Sequence, residues 1–436
     1  MVDKTIAELS FGPPGSVDES LSDRALSLVG SEILKVAAEI RAMVAAGKTV
    51  CNLTVGDFNP KYFPIPSVLM DEIHNAFAAG ETNYPPADGM LALRQAAADF
   101  TAREYGVRYP LASTLIASGS RPLLYAAYRC VVNPGDVVVY PAPSWNNNHY
   151  VTLTRATGID LPTHAADGFQ PTLEQILPHL AKAQLIALNT PLNPAGTVMT
   201  AENITAIATA VVDENKRRAA AGRRRVFLLF DQVYGSLVFG AAKHNHPVAL
   251  VPEVAPWLIT VDGISKGLAA TGLRVGWLLA APELTSRMRD LIGHIGAWAP
   301  RPEQVATAKF LQNEPAVHAY RKQMHAAVEE RLEALHAGFT AMRADGFPVE
   351  CIQPQGAIYL SLRIDLAGRS YEGLALDRNE TIRKWILEHA GFAAVPFQAF
   401  GLMEETGWFR LSVGAVSMDE IAQVFPRLRA LLGKIR

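Results

Sequence analysis

The sequence predicts an α/β protein: a mostly parallel β-sheet sandwiched between helices, with a smaller companion domain. Short apolar runs recur at residues 114–117, 137–140, 185–188, 226–230, 258–261 and 275–279, separated by helical or turn-rich segments. The runs are rich in leucine and β-branched residues and do not alternate with polar ones, so both faces of each strand must be covered, as in a parallel sheet under helices. The length of 436 residues exceeds one small core and suits two domains, or one large domain with a smaller one.

Composition narrows the class. Apolar residues make up 49% and charged residues 19% of the chain, which supports a well-buried enzyme and argues against disorder. A formal charge of -2 leaves no general basic field for nucleic acid or an anionic membrane. The three cysteines, Cys51, Cys130 and Cys351, are sparse and odd in number, which points to a reducing compartment rather than a disulfide framework. No basic segment leads into an apolar run at the start, and no stretch approaches the roughly 20 apolar residues of a membrane span. A soluble cytoplasmic protein is expected.

In chain order, residues 1–24 are polar and marked by Gly and Pro, and read as an arm or surface segment. Over 31–46 the apolar positions Ile33, Leu34, Val36, Ala37, Ile40 and Met43 recur at helical spacing, and the helix stops at Gly47. The tripeptide Gly47-Lys48-Thr49 ends like a phosphate-binding P-loop, but Ala42 stands where that motif needs its first glycine. Residues 52–60 read as a short strand breaking into a turn at Gly56. Helices follow over about 67–79 and 91–105, with Tyr84-Pro85-Pro86-Ala87-Asp88-Gly89 punctuating the chain between them. Beyond Pro300 the chain turns helical, with a long amphipathic segment over about 314–342. Gly356 then turns the chain into a strand, and Arg410 sits in another, Trp408-Phe409-Arg410-Leu411-Ser412, where an unpaired guanidinium would be costly. It needs an anion.

Ligands of parallel sheets bind beyond the carboxyl ends of the strands. After the first apolar run, Ser118-Gly119-Ser120-Arg121-Pro122 opens a helix whose free N–H groups can hold phosphate. After the second comes Trp145, an indole on which a flat ring could stack. The third is followed by Asn189-Thr190-Pro191-Leu192-Asn193-Pro194-Ala195-Gly196, and the fourth by Asp231-Gln232-Val233-Tyr234. Taken singly, Asp231 reads equally as a helix cap, Asn193 as a turn former and Trp145 as a core residue. Next to them stands the stretch 262–277, DGISKGLAATGLRVGW, in which Lys266 lies among small residues with Arg274 behind it. Small residues let the backbone approach something flat, and a lysine withdrawn from water becomes a nucleophile towards an aldehyde. Ser265 and Arg274 would serve a phosphate. Together these groups supply what a pyridoxal ring requires.

These residues, in this order, resemble the fold type I aminotransferases of the aspartate aminotransferase class, which depend on pyridoxal 5'-phosphate (PLP), over residues 52–417. The motifs are the NTPLNPAG stretch, Asp231 with Tyr234, Lys266 with Arg274, and the strand arginine Arg410. The resemblance implies the PLP-dependent transferase fold type I: a large PLP-binding domain over 66–312 with a mostly parallel seven-stranded sheet between helices, and a small α+β domain over 313–436. Residues 1–65 would supply an arm and the first part of that small domain. It implies that Lys266 binds PLP as an imine and moves the substrate proton, that Asp231 faces the pyridine nitrogen, and that Asn193 and Tyr234 serve the phenolic oxygen. Trp145 would stack on the ring. Gly119, Ser120, Arg121, Ser265 and Arg274 would surround the phosphate, with Tyr84 reaching it from a neighbouring subunit of a homodimer. Arg410 would pair with the substrate α-carboxylate beside Asn193, Trp145 and Gly56.

Two departures from the family pattern stand out. Gly263 occupies a position where the family often has a phosphate-binding serine, and residues 291–300 show no clear counterpart of the partner-subunit arginine that one branch uses for a dicarboxylate. Arg121 takes the place of a basic residue used by another aspartate-specific branch, and competes for that role with a solvent-facing or phosphate-pairing reading; Arg301 and His294 are weaker substitutes. The implied activity is transfer of the amino group of L-aspartate to 2-oxoglutarate, by a ping-pong cycle through pyridoxamine phosphate. Alternatives are an aromatic or neutral amino donor, a PLP lyase, or a non-catalytic PLP-binding regulator, for whose DNA-binding domain the N-terminal segment has no room. His244 and His246 lack a third ligand, so no metal is expected, and they read as surface residues.

Overall fold

The computed structural model describes residues 13, 15, 17–28, 30 and 32–435, the side chains of residues 32–34 excepted. Seven strands form the large sheet: β1 (Thr114–Ala117), β2 (Val137–Ala142), β3 (Thr157–Pro162), β4 (Ala183–Asn189), β5 (Phe227–Asp231), β6 (Leu258–Gly263) and β7 (Gly276–Leu279). Their order is β1-β7-β6-β5-β4-β2-β3. All neighbours pair parallel except β7, which runs against both β1 and β6. The mostly parallel sheet expected from the apolar runs is present.

The pleat divides each run between two cores. Leu185 and Ala187 of β4 and Leu229 of β5 face the core that includes Leu123, Ala127 and Met288. Ile186 and Leu188 of β4, with Leu228 and Phe230 of β5, face another that includes Ile204, Ile207 and Val211. Alternate residues thus point to opposite helical layers, and both sets must be apolar. The edge strand β3 has no counterpart among the apolar runs. Its residues Thr157, Gly158, Asp160 and Pro162 are exposed, whereas β1, at the other edge of the sheet, is buried throughout.

The helices predicted before the sheet appear as Ser67–Ala78 and Leu91–Tyr105, packed with Arg301–Gln312 over the β1–β7 end. The long helix spans Glu314–Ala344 and buries Val328, Leu332, Leu335 and Phe339 against a second, antiparallel sheet made by Val395–Pro396, Trp408–Ser412, Tyr359–Ile364 and Val349–Cys351. Near the start of the chain, Cys51–Asn52 pairs parallel with Phe392–Ala393. The helix Glu32–Ala45 lays Val36 and Ile40 on Leu387 and Ala393 of the same region. Ser31 and the side chains of Ile33 and Leu34 lie outside the described residues, as do residues 1–12, 14 and 16 of the expected arm. The three cysteines are free. Among the described residues no helix is long and apolar enough to cross a membrane.

Candidate active site

The carboxyl ends of β1, β2, β4, β5 and β6 open on a cavity of about 590 Å³, closed from the other side by residues 54–57, Tyr359 and Arg410. Segment 53–59 is held there because it lies along the second sheet: Ser412 N–H donates to Leu53 O (2.7 Å), Ser412 Oγ to Val55 O (2.7 Å) and Asn59 N–H to Gly414 O (2.8 Å). The volume suits a small, largely enclosed ligand.

Lys266 stands on the short helix Ile264–Gly267 that follows β6, and its Nζ donates to Gly56 O at 2.7 Å. Withdrawal from water lowers its pKa to about 8, against the opposing pull of the Asp57 carboxylate; Arg410, Arg121 and Arg274 lower it further. At the end of β5, Asp231 is pushed up to about 7, chiefly by burial, although the Val233 N–H (3.2 Å) and the charge of Lys266 favour its ionised form. Asn189 stands opposite Asp231 in register, and its amide donates to Asp231 O at 2.9 Å while its Oδ1 accepts from Asn193 N–H at 2.9 Å. The Tyr234 hydroxyl meets that of Tyr359 at 2.6 Å.

A phosphate-sized cradle lies where β1, β6 and β7 converge. Gly119, at φ 87°, turns β1 into the helix Ser120–Val131, whose first N–H groups have no side-chain cap. Arg274 packs on Gly119 so closely that a β-carbon would overlap the guanidinium, which is fixed by Thr271 O (2.8 Å) and Ser118 O (3.0 Å). Ser120, Ser265 and Arg274 line the cavity. Gly263 pairs with Gly276; a β-carbon on Gly263 would stand 2.8 Å from Val275 O, and one on Gly276 2.6 Å from Ser120 N. Close strand approach therefore excludes the serine hydroxyl whose absence at Gly263 the sequence shows.

Arg410 is 1% exposed. Its Nη1 donates to Asn193 Oδ1 (3.0 Å) and its Nη2 to Thr54 O (2.7 Å), its Cζ lies 4.6 Å from the centre of the Tyr359 ring and 4.8 Å from that of Phe400, and Nε is buried without a partner. Arg121 also lines the cavity, but it is an exposed side chain with its guanidinium 5.6 Å from the centre of the Trp145 ring. The arrangement can hold a flat, phosphorylated aldehyde: the orphaned Arg410 Nε calls for an anion, the half-buried Asp231 for an N–H donor, and the glycine cradle for a phosphate.

The cavity thus brings together Gly56, Ser120, Arg121, Trp145, Asn193, Asp231, Tyr234, Ser265, Lys266, Arg274 and Arg410, with Gly119 beneath Arg274. Tyr84 lies outside the cavity of its own chain, 81% exposed and edge-on to Trp298. Arg301 is likewise outside, paired with Glu81, and His294 closes the helix Pro282–Ile295. Asn189, Asp57 and Tyr359 join the site without having been singled out in the sequence. The surface reading of His244 and His246 is corrected: both rings pack on Phe230 and Tyr105, and burial holds each near a pKa of about 3. No group of three potential metal ligands occurs among the described residues.

The family model for aminotransferase class I and II matches residues 48–428. The aspartate aminotransferase of Geobacillus stearothermophilus is 26% identical over 419 residues, 94% of this chain and 98% of that protein. A bifunctional aspartate aminotransferase and glutamate/aspartate-prephenate aminotransferase of Petunia hybrida is 28% identical, covering 96% of this chain and 84% of its own. The crystal structure of the Rhizobium meliloti aspartate aminotransferase is similar at a TM-score of 0.85 and 26% identity, over 95% of this chain and 99% of that one.

Proposed function

The chain belongs to the class I and II aminotransferases, and from that premise we propose that it carries PLP on Lys266 and passes the amino group of L-aspartate to 2-oxoglutarate in a ping-pong cycle. One observation carries the reading: a lysine with a lowered pKa, a half-buried carboxylate and a buried arginine with an unpartnered nitrogen converge on one cavity. Relatives named aspartate aminotransferase support the choice of donor.

When bound, PLP supplies an aldehyde that captures the substrate amine and a ring that accepts the electron pair set free at Cα. Gly119, Ser120, Ser265 and Arg274 hold its phosphate. Asp231, half-buried at the cavity wall, would supply the negative charge for a pyridine N–H, and Trp145 would cover the ring. Because Asn193 Oδ1 already accepts from Arg410, its amide nitrogen is the donor left for the phenolic oxygen, beside Tyr234. Arg410 fixes the α-carboxylate, and Lys266, with an amine pKa near neutrality, moves the proton at Cα. Arg121, over Trp145, takes the distal carboxylate of aspartate.

The large domain is placed at 66–312, with 313–436 and the segment before residue 66 forming the small one; residues 51–63 share a core with 324–435, to which Val233, Tyr234, Leu237, Phe239 and Ala269 of the large domain also contribute. A homodimer with shared sites is proposed on the exposure of Tyr84 and the unpartnered indole Nε1 of Trp298 beside it.

The test is the visible spectrum of the PLP-loaded protein before and after L-aspartate, with no 2-oxo acid present. Bleaching to the pyridoxamine form, reversed by 2-oxoglutarate, is expected. A cofactor band indifferent to aspartate would move the donor to aromatic or neutral amino acids, and the lack of any band would overturn the role of Lys266.

A further inference from the structure

Asp262 stands one residue before Gly263, outside the substrate cavity. Its Oδ1 accepts from Gly263 N–H at 2.7 Å and its Oδ2 from Gln232 Nε2 at 3.2 Å. Gly263 starts the helix that carries Lys266, and Gln232 directly follows Asp231. One buried carboxylate therefore ties together the two strand ends on which the lysine and the ring-nitrogen partner are mounted.

Across the β6–β7 ladder Asp262 is paired with Trp277, so the two side chains leave the sheet on the same face. Trp277 is 1% exposed and its indole N–H is buried without a partner. Both residues, with Ser236 and Arg321, line an internal void of about 20 Å³. That space admits one water and no more, and polar groups on several sides are what an internal water requires. Ser236 Oγ also reaches the lysine helix, where a β-carbon at Gly267 would overlap it. Arg321 is engaged by Glu104, and His244 approaches Asp262 only through Gln232. Arg321 still favours the charged carboxylate from a distance, and the Tyr105 hydroxyl also faces it.

We propose that Asp262 is a positioning residue for Lys266 and Asp231, and that one buried water shared by its carboxylate, the Trp277 indole N–H and the Ser236 hydroxyl completes its hydrogen bonding. The kinetic part rests on the aminotransferase chemistry proposed for Lys266; the water does not. Deleting the carboxylate frees Gly263 N–H and Gln232, and lets the lysine helix shift relative to Asp231.

A crystal structure of the PLP-loaded enzyme that resolves ordered water should show a single peak roughly 2.7–3.2 Å from both Asp262 and Trp277 Nε1. A dry void would overturn the water. Asp262→Ala should lower kcat roughly tenfold or more, with KM for aspartate within about twofold of the parent. Asp262→Asn, whose amide oxygen still accepts from Gly263, should restore most of the loss. An unchanged kcat with a lowered Tm, or an Asn variant as slow as the Ala variant, would reduce Asp262 to a purely structural residue and sink the proposal. If the Ala variant does not fold, Trp277→Phe keeps an aromatic ring and removes the donor: the water peak should vanish or move away from position 277, and a peak that persists unmoved would contradict the assignment. A parent enzyme that transfers no amino group would count against Lys266 chemistry and leave the water test standing.

Discussion

Arg410 and Arg121 face the same cavity and are built in opposite ways. Arg410 is buried, its terminal nitrogens are fixed by Asn193 and Thr54, and its guanidinium packs on the rings of Tyr359 and Phe400. Arg121 is exposed on the first turn of its helix and rests against the Trp145 ring. The difference matches what each end has to recognise. Every amino acid substrate brings the same α-carboxylate, so a rigid, dehydrated site loses little entropy on binding it and gains a strong charge-assisted pair. Side chains differ between donors, and an exposed cation with a flat apolar neighbour tolerates that variety.

The largest expected effect breaks the rigid end. Arg410→Gln should reduce kcat/KM by roughly a hundredfold or more, equally for aspartate and a neutral donor, since it removes one partner of a buried charge pair. A loss confined to aspartate would show that the two ends have been assigned the wrong way round. At the exposed end, Arg121→Gln should cost about tenfold for aspartate, measured as kcat/KM, and under about twofold for a neutral amino acid. Equal losses for both would place Arg121 on the phosphate instead.

The smallest effect sharpens the contrast through Lys266 itself. Its folded pKa, about 8, lies below the ordinary 10.5, so between those values the unfolded chain binds more protons and stability contributed by the neutral amine is lost as pH falls. Both arginines depress that pKa, Arg410 more than Arg121. Removing either positive charge should raise it, with Arg410→Gln giving the larger rise in a ¹³C-methyl NMR titration of the reductively methylated, cofactor-free protein. A larger rise from Arg121→Gln would mean that the exposed arginine, not the buried one, dominates the field at the lysine.

Much of this site is legible in the chain because parallel strands impose a rule: apolar run, then function. Ser120, Asn193, Asp231 and Lys266 each follow such a run closely, and their types suit the chemistry. Tyr359 is hidden by the same logic, since an aromatic residue inside an apolar strand reads as core until its hydroxyl is seen against Tyr234. Asp57 reads as a turn residue beside Gly56, and only the fold brings its carboxylate to the lysine. β3 escapes notice because its own residues are mostly exposed and polar or small, unlike those of β1 at the opposite edge, so it has no apolar signature. His244 and His246 carry no apolar pattern of their own; their burial follows from Phe230 and Tyr105 closing over them.

By itself, the sequence determined every strand of the sheet but β3, the order of its functional loops and the lysine at their centre, since these depend on hydrophobic periodicity and short-range turn chemistry. Tertiary structure alone decided which distant groups meet: Lys266 with Gly56 across 210 residues, Arg410 with Thr54 across 356, and Gly263 against Val275 O with no room for a hydroxyl. The physical reason is that periodicity records which face of a segment is buried, whereas the position of one segment against another is set by packing of the whole chain, which no local pattern encodes.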